Sequence, residues 1–399
     1  MVIKQILRES CPNIRILRRG ISYVRQKQLL KNTYLDDDII LAENDYDRKK
    51  SIVSNFAKSD YKLYKKTCEG IERLFKSASC FQNRSDLEEV CVDMLFCRAA
   101  YGFVPNEYVW YELEGKEFEY RRSFVSCRDK HQYQCVINDM VDSSLVTDKV
   151  YTYKMFYDYF GRDAIEVSKK DHFEKFKSFV EKYPVFVRKA VYLSGGKGIE
   201  CIDSNKWRSI DELFDYVFSG GKTLCEELLV QSEMFSSFNP DSVNTVRIVT
   251  FATHDKIEIP FVFMRVGRKG SFVDNAGSKG ISVGVDPKTG RVMTDGYDEL
   301  NNHYIVHPDT GKAFCGFQIP EWDKAIEICK AASKRILSLK TISWDIAYTC
   351  TKSKNHYEWK MVEANAMGDF ICQLVTKKGY KAEMERLIAE ANTMVKLKK

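Results

Sequence analysis

Two short segments near the C-terminus constrain this chain most. In Trp344-Asp-Ile-Ala-Tyr348 the alternation of a strand turns Asp345 away from Trp344 and Ile346. In Trp359-Lys-Met-Val-Glu-Ala-Asn365 the polar residues Glu363 and Asn365 stand two apart and share a face. The polar stretch between them, Lys352-Ser-Lys-Asn355, reads as a turn, and a hairpin centred on Lys354 sets Asp345 opposite Glu363. Cross-strand partners have Cβ atoms about 4.5–5.5 Å apart, so two carboxylates and an amide oxygen converge. Carboxylates that close repel unless a cation lies between them. A set of hard oxygen ligands without sulfur or imidazole suits Mg²⁺. The same pattern also fits a solvated polar face on a surface hairpin.

Four further features carry chemistry. The segment Phe186-Val-Arg-Lys-Ala-Val-Tyr-Leu-Ser-Gly-Gly-Lys-Gly-Ile199 predicts a strand that delivers Lys189, then a loop containing Gly195, Gly196 and Gly198. The backbone N–H groups of such a loop can wrap phosphates, although the Walker A order is absent and a plain glycine-rich turn fits as well. In Asn244-Thr-Val-Arg-Ile-Val-Thr250, Arg247 points away from Val246 and Ile248. In Phe261-Val-Phe-Met-Arg265, Arg265 shares an apolar face with Phe261 and Phe263. An arginine on such a face needs an anionic partner, either a ligand or an internal Asp or Glu. Val273-Asp-Asn-Ala-Gly-Ser-Lys-Gly280 reads by itself as a hairpin turn.

The 399 residues suffice for two or three domains, and no internal repeat divides them. Residues 46–100 lack proline, are rich in Lys, Glu, Leu and Phe, and read as helices. From about residue 150 helix and strand patterns alternate in an α+β texture with antiparallel-looking strands. We expect a mostly helical region over 1–145 and a catalytic domain over 146–399. The latter divides into a lid subdomain at 146–225, with the glycine loop, and a subdomain at 226–399, with the arginine strands and the carboxylate hairpin.

The 13 cysteines form no CxxC pair, and the six histidines show no zinc-ligand spacing. With no apolar run long enough for a span and no leader-like segment, the cysteines read as reduced thiols of a cytoplasmic protein. The net charge of +6 suits an anionic substrate such as a nucleotide and does not call for nucleic acid. It concentrates in residues 1–31, where Lys4, Arg8, Arg15, Arg18, Arg19, Arg25, Lys27 and Lys31 face only Glu9. That run is either a solvated helix face or a peripheral contact with an anionic membrane or glycan-lipid, at the inner face of the membrane.

Lysine, glycine loop, acidic strand, arginine strands and carboxylate hairpin occur in the order found in ATP-grasp enzymes. VFVRKAVYLSGGKGIECID, LCEELLVQ, NPDSVNTVRIVTF, RVGRKGSFVDNAGSKGISVGVD and SWDIAYT…KMVEANAMGDFICQ resemble the sugar-transfer-associated ATP-grasp family over about 185–373. Two positions depart from its pattern: Ala190 stands where a proline is usual, and Ser278-Lys279 replaces a compact glycine pair.

The resemblance implies an ATP-grasp fold, in which two α+β subdomains clamp ATP. It implies that Lys189 contacts the phosphates, Gly195, Gly196 and Gly198 form a lid over them, and Lys149 is a second basic residue facing ATP. Glu226, Glu227, Leu228 and Leu229 resemble the hinge strand that holds adenine through its backbone, with Gln231 or Glu233 at the ribose. Arg247 and Arg265 resemble the arginines at the transferring phosphoryl group. Asp345, Glu363 and Asn365 resemble a metal set for two Mg²⁺ ions.

The activity implied is ATP-dependent carboxylate–amine ligation through an acyl phosphate, in the building of cell-surface glycan. Its partners would be a small-molecule carboxylate and an amine or sugar-linked acceptor. A sugar or polyol kinase using the same ATP site, and a non-catalytic nucleotide-binding scaffold, remain as alternatives.

Overall fold

The computed structural model describes residues 34–193, 195–350, 356–366, 368 and 370–396. The basic segment 1–31 and the turn at Lys352–Asn355 lie outside the described residues.

Helices dominate up to Ile137, among them Tyr46–Ser59, Tyr61–Ser77, Leu87–Ala100 and Cys127–Ile137. Several begin on side-chain caps that satisfy otherwise orphaned amides. Asp45 accepts from the Arg48 amide, Asp60 from that of Leu63, and Ser126 from that of Asp129. Apolar faces containing Ile71, Leu74, Met94, Phe96, Phe103, Tyr111 and Phe124 close one core.

At its centre is a buried polar cluster. The Arg121 guanidinium, 1% exposed, pairs with Asp93 at 2.6 Å and Glu43 at 3.0 Å. Lys49 also reaches Asp93, at 2.6 Å, and the Tyr108 hydroxyl donates to the same carboxylate at 2.7 Å.

The rest of the chain builds two antiparallel sheets. Strands β1 (Ala164–Val167), β2 (Val185–Ala190), β3 (Ile199–Asp203) and β4 (Thr223–Glu227) form a four-stranded sheet in the order β1-β4-β2-β3. Helices Phe173–Lys182 and Ile210–Ser219 pack on one face of it, through Phe176, Phe179, Leu213, Phe214 and Phe186. Strands β5 (Thr245–Ala252), β6 (Ile257–Val266), β7 (Ile281–Val285), β8 (Val292–Tyr297), β9 (His303–Tyr304), β10 (Thr341–Cys350) and β11 (Tyr357–Asn365) form a seven-stranded sheet. Its order is β11-β10-β5-β6-β7-β8-β9. Helix Trp322–Lys334 covers one face through Trp322, Ala325 and Cys329, and Trp344 lies fully buried beneath.

The helical region is tied to the larger sheet by side chains. The Asn138 amide donates to the Thr341 carbonyl at 2.9 Å and also reaches the Ala366 carbonyl, while the Thr341 amide donates back at 3.0 Å. Gln373 and the backbone of Val125 exchange two hydrogen bonds, at 2.8 and 3.0 Å. Among the described residues no helix is long and apolar enough to cross a membrane.

Replacing Arg121 with alanine strands two buried carboxylates without their main counter-ion. We expect Arg121→Ala to cost about 3–5 kcal/mol of stability, read as a lower denaturation midpoint. A loss below about 1 kcal/mol would show that Lys49 alone neutralises the cluster.

Candidate functional site

The site begins at the β10–β11 hairpin. Near the described end of the hairpin Cys350 pairs with Tyr357 and Ile346 with Met361, a register centred between residues 353 and 354 and not on Lys354. One extra residue, Val362, then bulges from β11, and from there Asp345 pairs with Glu363 and Ser343 with Asn365. Regular alternation would put Met361 and Glu363 on one face. The bulge separates them, so that Met361 joins Ile346 and Trp344 in the core while Glu363 lies opposite Asp345.

Asp345 is flanked on its other side by Arg247 of β5. Arg247 grips it with two hydrogen bonds, Nε to Oδ1 and Nη2 to Oδ2, both 2.6 Å. Arg265, from the next strand, places Nη2 at 2.9 Å from Oδ2. Burial works against the Asp345 charge, yet the two guanidiniums hold its carboxyl below the usual carboxylate range. The anionic partner that each arginine needed is therefore an internal one, and both share it.

Sequence reasoning passed over a second buried carboxylate. Asp274, in the loop taken as a plain turn, accepts from the Thr245 amide at 3.0 Å and from its hydroxyl, both on Oδ2. The same hydroxyl oxygen accepts from Nη2 of Arg265 at 2.9 Å. Burial pushes the Asp274 carboxyl up, with Arg265 partly opposing. An aspartate in an otherwise small, polar loop was the available signal.

The smaller sheet supplies the facing wall. Lys189 donates to Oε2 of Glu226 at 2.9 Å, and Arg162 donates to the same oxygen through Nε at 2.8 Å and through Nη2. Burial pushes the Lys189 ammonium down from the usual lysine range, while Glu226 opposes the shift. Burial likewise disfavours the Glu226 carboxylate, but Arg162 and Lys189 hold its pKa below normal. Glu226 thus contributes its side chain as well as its strand, and Arg162 was not foreseen. Lys149 crosses between the walls: its Nζ donates to the Leu193 carbonyl at 2.6 Å and lies 3.3 Å from Glu363 Oε1.

Lys149, Lys189, Glu226, Glu227, Leu228, Leu229, Arg265, Asp345 and Glu363 line one cleft between the sheets, with Val187, Thr245, Phe272 and Asp274. Strand β4 ends at Glu227, short of the expected 229. The chain leaves it to run beside β10, where the Cys350 amide donates to the Val230 carbonyl and the Ser232 amide to that of Tyr348.

The other expected residues, Gly195, Gly196, Gly198, Gln231, Glu233, Arg247 and Asn365, are not among those that line the cleft. Gly195, Gly196 and Gly198 all have φ between +67° and +75°. A Cβ on Gly196 would come within 2.9 Å of Asn275 and 3.2 Å of Val273, so the glycine turn closes on the far wall of the cleft. Arg247 is held against Asp345 by its two hydrogen bonds. Gln231 is committed elsewhere: its amide donates to the Asn239 and Ser242 carbonyls and accepts from Asn244. Glu233 is exposed at the start of the short helix Glu233–Ser236. The Nδ2 of Asn365 is buried and has no hydrogen-bond partner among the described residues.

Thr245→Val keeps the shape but removes the hydroxyl that joins Arg265 to Asp274. We expect a loss of about 1–3 kcal/mol in denaturant unfolding, since buried polar groups lose a partner. An unchanged midpoint would show that this hydroxyl is dispensable.

Residues 128–388, well over half the chain, match the family described as sugar-transfer associated ATP-grasp. No curated protein matches the chain. Solved structures similar to it include the ATP-grasp ligase PsnB complexed with minimal precursor, at 14% identity over 62% of each chain and a TM-score of 0.36. VanG D-Ala:D-Ser ligase from Enterococcus faecalis is 16% identical over 64% of this chain and 63% of its own, with a TM-score of 0.40. D-alanine–D-alanine ligase from Bacillus anthracis is 11% identical over 70% and 79%, with a TM-score of 0.39. The chain thus spans less than two thirds of the length of PsnB and VanG. Likenesses this distant say nothing of substrate. On the match over 128–388, the chain belongs to the sugar-transfer associated ATP-grasp family.

Proposed function

We propose that this protein is an ATP-dependent carboxylate–amine ligase that works through an acyl phosphate in glycan assembly. The observation that carries the reading is the one cleft that gathers Lys189, Arg265, Asp345 and Glu363 from the two sheets and Lys149 from the helix Lys149–Met155. Family membership supports ATP as the nucleotide, and the family's description supports a glycan setting.

A hard cation fits the hairpin. Asp345 and Glu363 stand in register, and Asn365 lies two residues beyond Glu363. An ionised carboxylate offers about four lone-pair sites. The arginines take three on Asp345, which leaves one on Oδ1. Asn365 adds a neutral amide oxygen, a hard donor of the same kind, on the face that carries Glu363. Asp345, Glu363 and Asn365 would hold Mg²⁺, which when bound neutralises charge on the nucleotide phosphates.

The chain's own groups then have defined tasks. Lys189 and Lys149 meet phosphate oxygens from the lid side. Arg265, with Arg247 behind it, faces the charge on the equatorial oxygens of the transferring group. The substrate carboxylate displaces ADP to give an acyl phosphate. An amine then forms the amide as phosphate leaves, and the glycine turn over the cleft excludes water. Leu228 and Leu229 give the adenine an apolar seat.

Millimolar Mg·ATP is expected to raise the melting temperature, because at about 100 times Kd a ligand adds about 2.7 kcal/mol to the folded state. No shift with wild-type protein would remove the nucleotide assignment. With hydroxylamine as the amine probe and a panel of carboxylic acids, we expect phosphate release together with hydroxamate. Glu363→Gln should lower that rate by about a hundredfold or more while leaving the melting temperature close to wild type. A product that retains its phosphate would identify a kinase instead.

A further inference from the structure

Arg162 lies between the short helix Tyr157–Phe160 and β1, and its side chain is 1% exposed. Its contacts reach both sheets. Nε and Nη2 donate to Glu226 Oε2 of β4, while Nη1 donates at 2.6 Å to the carbonyl of Met361, next to the bulge at Val362. Lys189 Nζ donates to the same Oε2 at 2.9 Å. Three donors therefore converge on an oxygen with about two lone-pair sites. Two cations share one buried carboxylate, and Lys189 holds it by a single hydrogen bond where Arg162 uses two.

That arrangement decides whether Lys189 can leave. A buried carboxylate that loses its only counter-ion is strongly destabilised. With Lys189 as the sole partner of Glu226, the ammonium would be locked in place. With Arg162 present, Glu226 stays paired and hydrogen-bonded after Lys189 moves. We propose that Arg162 is a positioning residue of the nucleotide site, which takes up the Glu226 carboxylate so that the Lys189 ammonium can transfer to a nucleotide phosphate. The inference rests on the nucleotide reading of the cleft and adds to it the residue that frees its lysine.

Calorimetric titration of the full chain separates the possibilities, with Mg·AMPPNP as the phosphate-bearing probe and adenosine as the probe without phosphates. Arg162→Met places the whole Glu226 charge on Lys189. It is expected to weaken Mg·AMPPNP about tenfold or more while adenosine changes less than about threefold. Adding Glu226→Gln removes the competing charge, and the double variant is expected to return to within about threefold of wild type for Mg·AMPPNP. The bond to the Met361 carbonyl stays broken in both variants, so a purely structural role for Arg162 would not be rescued.

Folded Arg162→Met with wild-type affinity for Mg·AMPPNP overturns the inference, and so does a double variant that stays as weak as the single one. If Arg162→Met does not fold, the double variant is compared with Glu226→Gln alone. The proposal then requires a difference below about threefold, and a larger loss overturns it. Wild-type protein that binds neither probe removes the nucleotide reading and this inference with it. Wild-type binding of both probes, with an unaffected Arg162→Met, removes only the inference.

Discussion

The carboxylate of Asp345, 1% exposed between two guanidiniums, is the interaction on which the cleft depends. A buried anion is tolerated only when paired and fully hydrogen-bonded. Here the pairing also sets the architecture. Arg247 approaches from β5 and Arg265 from β6, and Glu363 stands opposite on β11, so one aspartate organises one face across four neighbouring strands. Thr245 and Asp274 extend the network to the loop before β7, and the cleft acquires a wall of fixed charges.

The second wall is organised in the same way around Glu226, with Lys189 and Arg162 as its cations. Polar contacts among the described residues link the two walls of the cleft. The Arg162 bond to the Met361 carbonyl is one, and the Lys149 pairing with Glu363 is another. Both end on the stretch of β11 that carries the bulge. The relative placement of the two walls therefore converges on three residues, Met361, Val362 and Glu363. A buried polar network is stiff when every member is satisfied, so the charges of each wall are held in fixed positions.

The helical region is fastened to the rest of the chain by polar side chains. Its buried Arg121 cluster gives it an independent polar centre, the Asn138 side chain bonds the backbone of Thr341 in the larger sheet, and the Gln373 side chain bonds the backbone of Val125 in the helical region. The Asn138 amide reaches the Ala366 carbonyl, directly after Asn365, so the end of the candidate metal strand is held from the helical side.

Much of the site was legible in the residues themselves. Period-two alternation separated Asp345 from Trp344 and put Glu363 and Asn365 on one face, and an arginine on an apolar strand announced a buried anion at Arg247 and Arg265. The helices expected over 46–100 rest on local patterns, and local patterns follow from backbone geometry alone. Arg162, Asp274 and the side chain of Glu226 carried no such signal. Arg162 meets Glu226 across 64 positions of sequence and Met361 across 199, and no periodicity relates residues so far apart. The pairing of Asp345 with Glu363 was foreseen from a symmetric turn at Lys354, yet it arises from a different register corrected by one bulged residue. By itself the sequence determined the strands that carry Lys189, Arg247, Arg265, Asp345 and Glu363, and the face of each side chain wherever the alternation runs unbroken. Only the tertiary structure decided which charge meets which. Burial of Met361 against the core and of each carboxylate beside a cation is a long-range free-energy balance that no short segment contains.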